Sequence, residues 1–319
     1  MKAILKSVAR SFYLTIRFLP RPLREPVGLA YLLARATDTI ADTAEIPATL
    51  RLTTLHSLGQ VVAGKAEPAT IAGELRDFAA KQRNQSEKTL IENLPGCLDY
   101  IARTQPADRE DIRAVLATIV RGQSLDLERF GPPNETTSLQ NAAELEEYTY
   151  LVAGCVGEFW TKLGFRDAPP FANRPPNEMI ALGVAYGQGL QLLNILRDRG
   201  ADLTQGRGYL PADDLAHAPE AEVFARWLDR AEAGISAGIE YCAALTNWRV
   251  RFATALPALI GGRTIALLRV AGAAERKVKV PRREVRRILA GGLLASASPI
   301  ALHALYDRLR AGRDEKAAA

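Results

Sequence analysis

The sequence predicts an all-α protein, organised as one helical domain. Three observations carry this. Apolar residues recur at helical spacing along nearly all of the 319 residues. No stretch alternates apolar and polar residues as a half-buried strand would. The breaks between periodic stretches hold proline and glycine, which end helices.

The elements follow in chain order. Helical periodicity covers roughly 23–42, 48–63, 70–103 and 109–130, the last closed by Gly131-Pro132-Pro133-Asn134. The stretch 141–164 stops before Ala168-Pro169-Pro170, and Arg174-Pro175-Pro176-Asn177 opens 177–202. Gly206-Arg207-Gly208-Tyr209-Leu210-Pro211 separates that helix from 219–247, and 251–273 and 282–310 complete the set. No boundary is drawn at Ser86-Glu87. The uncharged run from Ile288 to Tyr306 contains Gly291, Gly292, Pro299 and His303 and reads as a core helix or helix pair. Residues 1–310 are expected to form the domain, and 311–319 a frayed tail.

Composition is that of an ordinary folded protein, 48% hydrophobic and 24% charged. Cys97, Cys155 and Cys242 are far apart and odd in number, so neither a disulfide framework nor a zinc spacing follows. His56, His217 and His303 are equally scattered, which disfavours imidazole metal chemistry. The first residues lack the basic-then-apolar order of a signal peptide, and the expected location is the cytoplasm. Net charge is +5, with a basic run from Arg276 through Arg287. Such a run is most often a solvated face, and it lacks the interleaved aromatics of a single-strand binder, so nucleic acid is not expected as a partner. Gly187-Gln188-Gly189 and Gly206-Arg207-Gly208 lack the third glycine and the preceding strand of a dinucleotide-binding turn.

One acidic pentad is written twice. Asp38-Thr39-Ile40-Ala41-Asp42 and Asp198-Arg199-Gly200-Ala201-Asp202 both read D-x-x-A-D. Positions i and i+4 share a helix face, so each pentad aims two carboxylates into one space. Two such pairs facing one cavity would suit Mg²⁺ bridging protein to a diphosphate. Taken alone, either pair is matched equally well by a solvated helix end.

The surroundings weigh against that bland alternative. Tyr31, Arg35, Asp38 and Asp42 make one helical stripe among Leu32, Leu33, Ala36 and Ile40. Met179 to Leu196 carries no formal charge, and Gln188, Gln191, Asn194, Asp198 and Asp202 again fall on one face. A helix apolar around most of its circumference is buried, and its polar groups need partners or a wet cavity. The uncharged run reaches the lower length limit of a membrane span, but its glycines and polar stripe fit a crowded core helix better.

With these residues in place, the chain resembles the squalene and phytoene synthases. The resemblance is carried by Arg10-Ser11-Phe12, the Tyr31–Asp42 stripe, Tyr148-x-x-x-Val152-Ala153-Gly154-x-Val156-Gly157, Asn194-Ile195-Leu196-Arg197-Asp198, and Gln205-Gly206-Arg207-x-Tyr209-x-Pro211. Gly122-Gln123-Ser124-Leu125-Asp126 sits where the family has a G-M-x-x-D-like segment. The resemblance spans roughly residues 7–300 and implies a single-domain all-α isoprenoid-synthase bundle around a central active-site cavity. Phe252-Ala253-Thr254-Ala255-Leu256-Pro257 and Lys277-Val278-Lys279-Val280 are similar to squalene-synthase segments, and an enzyme of the bacterial type is expected because the run from Ile288 to Tyr306 reads as core helix and not as a membrane span.

The resemblance implies head-to-head condensation of two farnesyl diphosphates through presqualene diphosphate, followed by reduction with NADPH to squalene. It implies Mg²⁺, with Mn²⁺ able to serve in its place, held by Asp38, Asp42, Asp198 and Asp202. Arg10, Arg35 and Arg197 would surround the diphosphates. Tyr148 occupies the position implicated in the chemistry. Tyr31, Gln123, Gln191, Asn194 and Tyr209 would contact substrate. Lys279, with Lys277 and Arg282, would hold the NADPH phosphates. No membrane anchor is expected, while a hydrocarbon product makes peripheral contact with a bilayer a natural expectation. Many relatives carry glutamate where this chain has Ala41 and Ala201, which leaves two carboxylates per motif. The alternative function is a phytoene-, dehydrosqualene- or presqualene-diphosphate-forming synthase without NADPH. A non-enzymatic helical binding protein is the more distant rival.

Overall fold

The computed structural model describes Leu5 and residues 11–130, 136–273 and 278–312, with residues 11–14 described for their backbone alone. The regular elements among the described residues are helices, apart from two short strands. α1 spans Ser11–Phe18, α2 Arg21–Asp42, α3 Ala48–Val62 and α4 Pro68–Lys81. α5 spans Gln85–Glu92, α6 Leu94–Ile101 and α7 Pro106–Arg129. After β1 (Thr137–Ser138) come α8 (Ala142–Thr149), a π-helical turn (Tyr150–Gly154) and α9 (Cys155–Asp167). α10 spans Pro176–Thr204, followed by β2 (Arg207–Gly208), α11 (Ala212–His217) and α12 (Glu220–Ala244). α13 (Trp248–Ala271), α14 (Arg282–Ala295) and α15 (Pro299–Arg310) close the chain.

Most predicted helices match within a few residues, and 70–103 is corrected. It is three helices, α4, α5 and α6. Gln82 takes extended backbone after α4. The Asn84 side chain then caps α5, accepting the amides of Ser86 (3.0 Å) and Glu87 (3.3 Å). Pro95, in the first turn of α6, has no amide to continue the ladder from α5. The stretch 282–310 is the helix pair α14 and α15, broken ahead of Pro299. The stretch 141–164 is interrupted by the π turn.

The chain divides into two compact units, Met1–Glu128 with Lys162–Ala168, and Arg129–Thr161 with Pro169–Ala319. In unit one, α2 packs on α3, α5 and α6. Leu29, Leu32, Leu33, Ala36 and Ile40 of α2 are fully buried. Each such leucine or isoleucine contributes about 1.5–3 kcal/mol by leaving water. The guanidinium of Arg166 bridges Asp108 and Asp111, fastening the end of α9 to the start of α7.

In unit two, α10 lies along α12, and α13 packs on α12, α14 and α15. Glycine sets these close approaches. A Cβ on Gly189 would come within 2.8 Å of the Gly234 backbone. A Cβ on Gly157 would lie 1.9 Å from the Gly183 carbonyl oxygen, so α9 and α10 meet backbone to backbone. Tyr186 packs on Gly238 and donates its hydroxyl to the Thr254 carbonyl at 2.9 Å, beside Pro257 inside α13. Among the described residues α10 and α13 are long and apolar enough to cross a membrane by length and composition. In unit two both pack against neighbouring helices.

Candidate active site

The first acidic pair stands on the last two turns of α2, whose final residue is Asp42. A helix C-terminus carries partial negative charge, and no basic residue occupies that turn to offset two carboxylates. Asp38 and Asp42 line a cavity of about 350 Å³ together with Arg35, Glu45, Gln82, Arg83, Asn84 and Glu87.

Partners fix the geometry around Asp38. Gln123, buried on α7, donates its side-chain amide to Asp38 Oδ1 at 2.7 Å. Arg35 Nη2 donates to Glu87 Oε1 at 2.8 Å, and its Nη1 lies 3.9 Å from Asp38 Oδ2. Buried Gln82 donates to Thr43 Oγ1 at 2.9 Å, and its Oε1 accepts the Asn84 amide at 2.9 Å. That contact holds the turn whose cap delivers Glu87 to Arg35. We expect Gln123→Leu to weaken metal affinity about 10–100-fold without unfolding the protein, since an orienting partner of a ligand acts at that scale. Titration calorimetry with Mg²⁺ checks this.

Burial pushes the Asp38 carboxyl up to about 7, Asp42 adds to the rise, and Arg35 opposes it. The side chain keeps 39% of its surface accessible, and that surface lines the cavity. Its surroundings are therefore mostly protein although water reaches it. Tyr31, half-buried one turn before Arg35, is likewise pushed up by burial and stays a neutral phenol at pH 7. The raised acid sets the sign of a pH effect. Between about pH 4 and pH 7 the folded protein holds a proton that the unfolded chain has lost, so stability falls as pH rises across that window. In the presence of chelator, the melting temperature of the native protein should drop relative to Asp38→Asn from pH 4 to pH 7 and run parallel above it.

The second pair lies at the end of α10, again without a basic residue in the last turn. Arg197 forks onto Asp198, with Nε donating to Oδ1 at 3.1 Å and Nη2 to Oδ2. Asp202 lines a small cavity of about 40 Å³ with Arg199, Arg207 and Tyr209. Leu192, Leu193, Ile195 and Leu196 are buried, whereas Gln191 and Asp198 are half-buried and Asn194 is exposed. The polar stripe is thus the accessible side of the helix.

Tyr209 is placed by its loop. Gly206 has a φ of 78°, a left-handed value that favours glycine, and it turns the chain out of α10. Thr137–Ser138 then pairs in parallel with Arg207–Gly208, and the Leu139 amide donates to the Gly208 carbonyl at 2.9 Å. Tyr209 follows directly, and its ring stacks on Tyr148 at 5.2 Å with Phe130 edge-on at 5.0 Å. The Tyr148 and Tyr209 hydroxyls lie 3.5 Å apart, and both residues are buried. Tyr148 sits next to the π turn, a local widening often found at functional sites.

In unit one, then, the structure gathers Tyr31, Arg35, Asp38, Asp42 and Gln123. In unit two it joins Tyr148 to Tyr209, Asp202 to the Tyr209 cavity, and Arg197 to Asp198, with Gln191 and Asn194 on the same helix. Lys279 and Arg282 are exposed at the entry to α14. Arg10 and Lys277 lie outside the described residues. Glu87 and Gln82 were not foreseen, and Arg199 and Arg207 stood within quoted motifs without being assigned a role. Glu87 had a local signal, three residues after the capping Asn84.

Residues 5–284 match the squalene/phytoene synthase family. The chain belongs to that family. It is 31% identical over 215 residues to the 15-cis-phytoene synthase of Synechocystis sp., covering 65% of this chain and 53% of the relative. It is 30% identical over 226 residues to the squalene synthase ERG9 of Saccharomyces cerevisiae, covering 69% of this chain and 47% of the relative. The chain thus spans about half the length of these curated relatives. The solved complex of TcSQS with the ligand BPH1237 superimposes with a TM-score of 0.73 at 22% identity, over 100% of this chain and 92% of that one. This synthase fold agrees with the all-α bundle expected from the sequence.

The donors suit magnesium in kind and number. Among the described residues no group of three or more His, Cys, Asp or Glu side chains is gathered to hold an ion. Mg²⁺ needs fewer, because it is typically held by one or two carboxylates plus substrate phosphate and water. Asp38 and Asp42 offer such a pair at the C-terminal end of α2, beside Arg35.

Proposed function

We propose that the protein joins two farnesyl diphosphates head to head through presqualene diphosphate and, with NADPH, reduces the product to squalene. The observation that carries this is the Asp38–Asp42 pair on its cavity, oriented by Gln123 and flanked by Arg35, in a chain of the squalene/phytoene synthase family. Magnesium, when bound, supplies the positive charge that makes diphosphate a better leaving group. Asp38 and Asp42 in unit one, and Asp198 and Asp202 in unit two, would each offer magnesium a carboxylate pair.

The chain's own residues do the rest. Arg35 and Arg197 add fixed cations that can turn from Glu87 and Asp198 to phosphate oxygens. An allylic cation forms as the C–O bond breaks, and apolar helix faces keep water from quenching it. An ordinary tyrosine, with a pKa near 10, is a poor base at neutral pH. Tyr148 instead offers a ring face to cationic charge and a hydroxyl, beside that of Tyr209, to pass a proton towards the departed diphosphate. Lys279 and Arg282, both exposed cations, match the phosphates of NADPH in charge.

A second reading is favoured by the 31% identity to a phytoene synthase. It ends in a phytoene- or dehydrosqualene-type product without reduction. Incubation with farnesyl or geranylgeranyl diphosphate, with and without NADPH, separates the two by product mass. The first reading expects squalene from farnesyl diphosphate only when NADPH is present. Phytoene from geranylgeranyl diphosphate, or a product indifferent to NADPH, would replace it with the second. The cytoplasm is the proposed location.

A further inference from the structure

We infer that one end of unit two docks on an anionic lipid bilayer. Four large apolar side chains are exposed there: Trp248 (47%), Leu293 (39%), Leu294 (78%) and Ile300 (81%). They come from three helices, and Arg251 shows that these helix ends lie together. This buried guanidinium donates to the carbonyls of Cys242 (3.2 Å) and Leu245 at the end of α12, and to Ser296 (2.8 Å) in the turn between α14 and α15. Gly292 backs α14 onto Leu259 and Phe252, the latter one helical turn from Trp248. Exposed apolar residues are usually scattered singly, and a gathered set marks an interaction surface.

Charge selects the partner. Arg283, Arg286, Arg287, Ala290, Leu293 and Leu294 are all exposed along one side of α14, arginines first and leucines last. At 1.5 Å per residue, Arg286 and Arg287 stand about 10 Å along the axis from Leu293 and Leu294. That offset matches the depth between the acyl-chain boundary and the lipid headgroups, and long arginine side chains extend it. Glu284, the acid on this helix, is bound by Arg263 and does not neutralise the arginine stripe. A second copy of the chain would bring the same arginines against one another. A phosphate-rich polymer alone would leave the apolar tip without a role. A bilayer of anionic lipid takes both, the tip among acyl chains and the stripe against phosphates.

Vesicle binding is read without substrate, so it stands or falls apart from the reaction proposed above. The full chain is sedimented with vesicles of phosphatidylcholine containing about a third phosphatidylglycerol, and with phosphatidylcholine alone. It should bind the first, lose that binding as salt is raised, and shift Trp248 emission to the blue. Arg286→Gln with Arg287→Gln should lower the partition about thirtyfold, at about fivefold for each cation. Leu294→Ser with Ile300→Ser should lower it about tenfold or more. Val270→Ser, at the far end of α13 and 89% exposed, should change nothing. The inference is overturned if the chain stays in the supernatant with both vesicles at low salt, or if neither double variant alters binding. It is equally overturned if light scattering finds a dimer that Leu294→Ser with Ile300→Ser splits while vesicles bind neither form.

Discussion

Asp38→Asn lowers turnover of prenyl diphosphate about a thousandfold or more while the protein stays folded. The metal is asked to supply several kcal/mol of charge stabilisation, and an amide is a weak substitute for a carboxylate ligand. The substitution also removes repulsion from Asp42 and the burial cost of a charge, the two influences that push the Asp38 carboxyl upward. The variant should therefore melt no lower than the native protein at pH 7. Loss of activity with retained stability separates a metal ligand from a structural acid. Steady-state product formation beside a thermal melt checks both halves. Full activity in the variant would mean that the first acidic pair is only a solvated helix end.

The largest expected effect on stability is at Gly157. An alanine Cβ there would lie 1.9 Å from the carbonyl oxygen of Gly183 and 2.3 Å from its carbon. Neither is the end of a flexible side chain, so α9 and α10 must part. Overpacking a close-packed contact costs about 1–3 kcal/mol and sometimes more, and a backbone clash belongs at the upper end. With about 2–4 °C per kcal/mol for a unit of this size, Gly157→Ala should lower the melting temperature by about 10 °C. Gly73 on α4 is the control, because a Cβ there meets nothing within 4 Å. Gly73→Ala should raise stability by roughly 0.5–1 kcal/mol through helix propensity. Differential scanning calorimetry of the two variants is decisive, since a merely permissive glycine at 157 would behave like Gly73.

These expectations also show what was legible before the fold was known. The helices bearing the acid pairs could be read because their polar stripes interrupt otherwise apolar surfaces, and periodicity is local information. The division of 70–103 was missed because apolar spacing runs on through a turn that only Asn84 and Pro95 announce. Glu87 could not be placed on Arg35 for that reason, and because their pairing joins residues far apart in sequence. The π turn after Tyr148 leaves no mark on hydrophobic spacing. The glycines of Val152-Ala153-Gly154-x-Val156-Gly157 were recognisable as a family pattern. Their physical role, letting the chain approach α10 at Ala153, Gly154 and Gly157, depends on what lies opposite.

The most direct test of the paired acids as the seat of diphosphate chemistry is release of diphosphate from farnesyl diphosphate. It is measured with Mg²⁺ for the native chain, Asp38→Asn and Asp198→Asn. The native chain should release diphosphate only when the metal is present, and each variant should lose nearly all of that rate. Release that is absent from the native chain, or that proceeds equally well in both variants, would contradict the account.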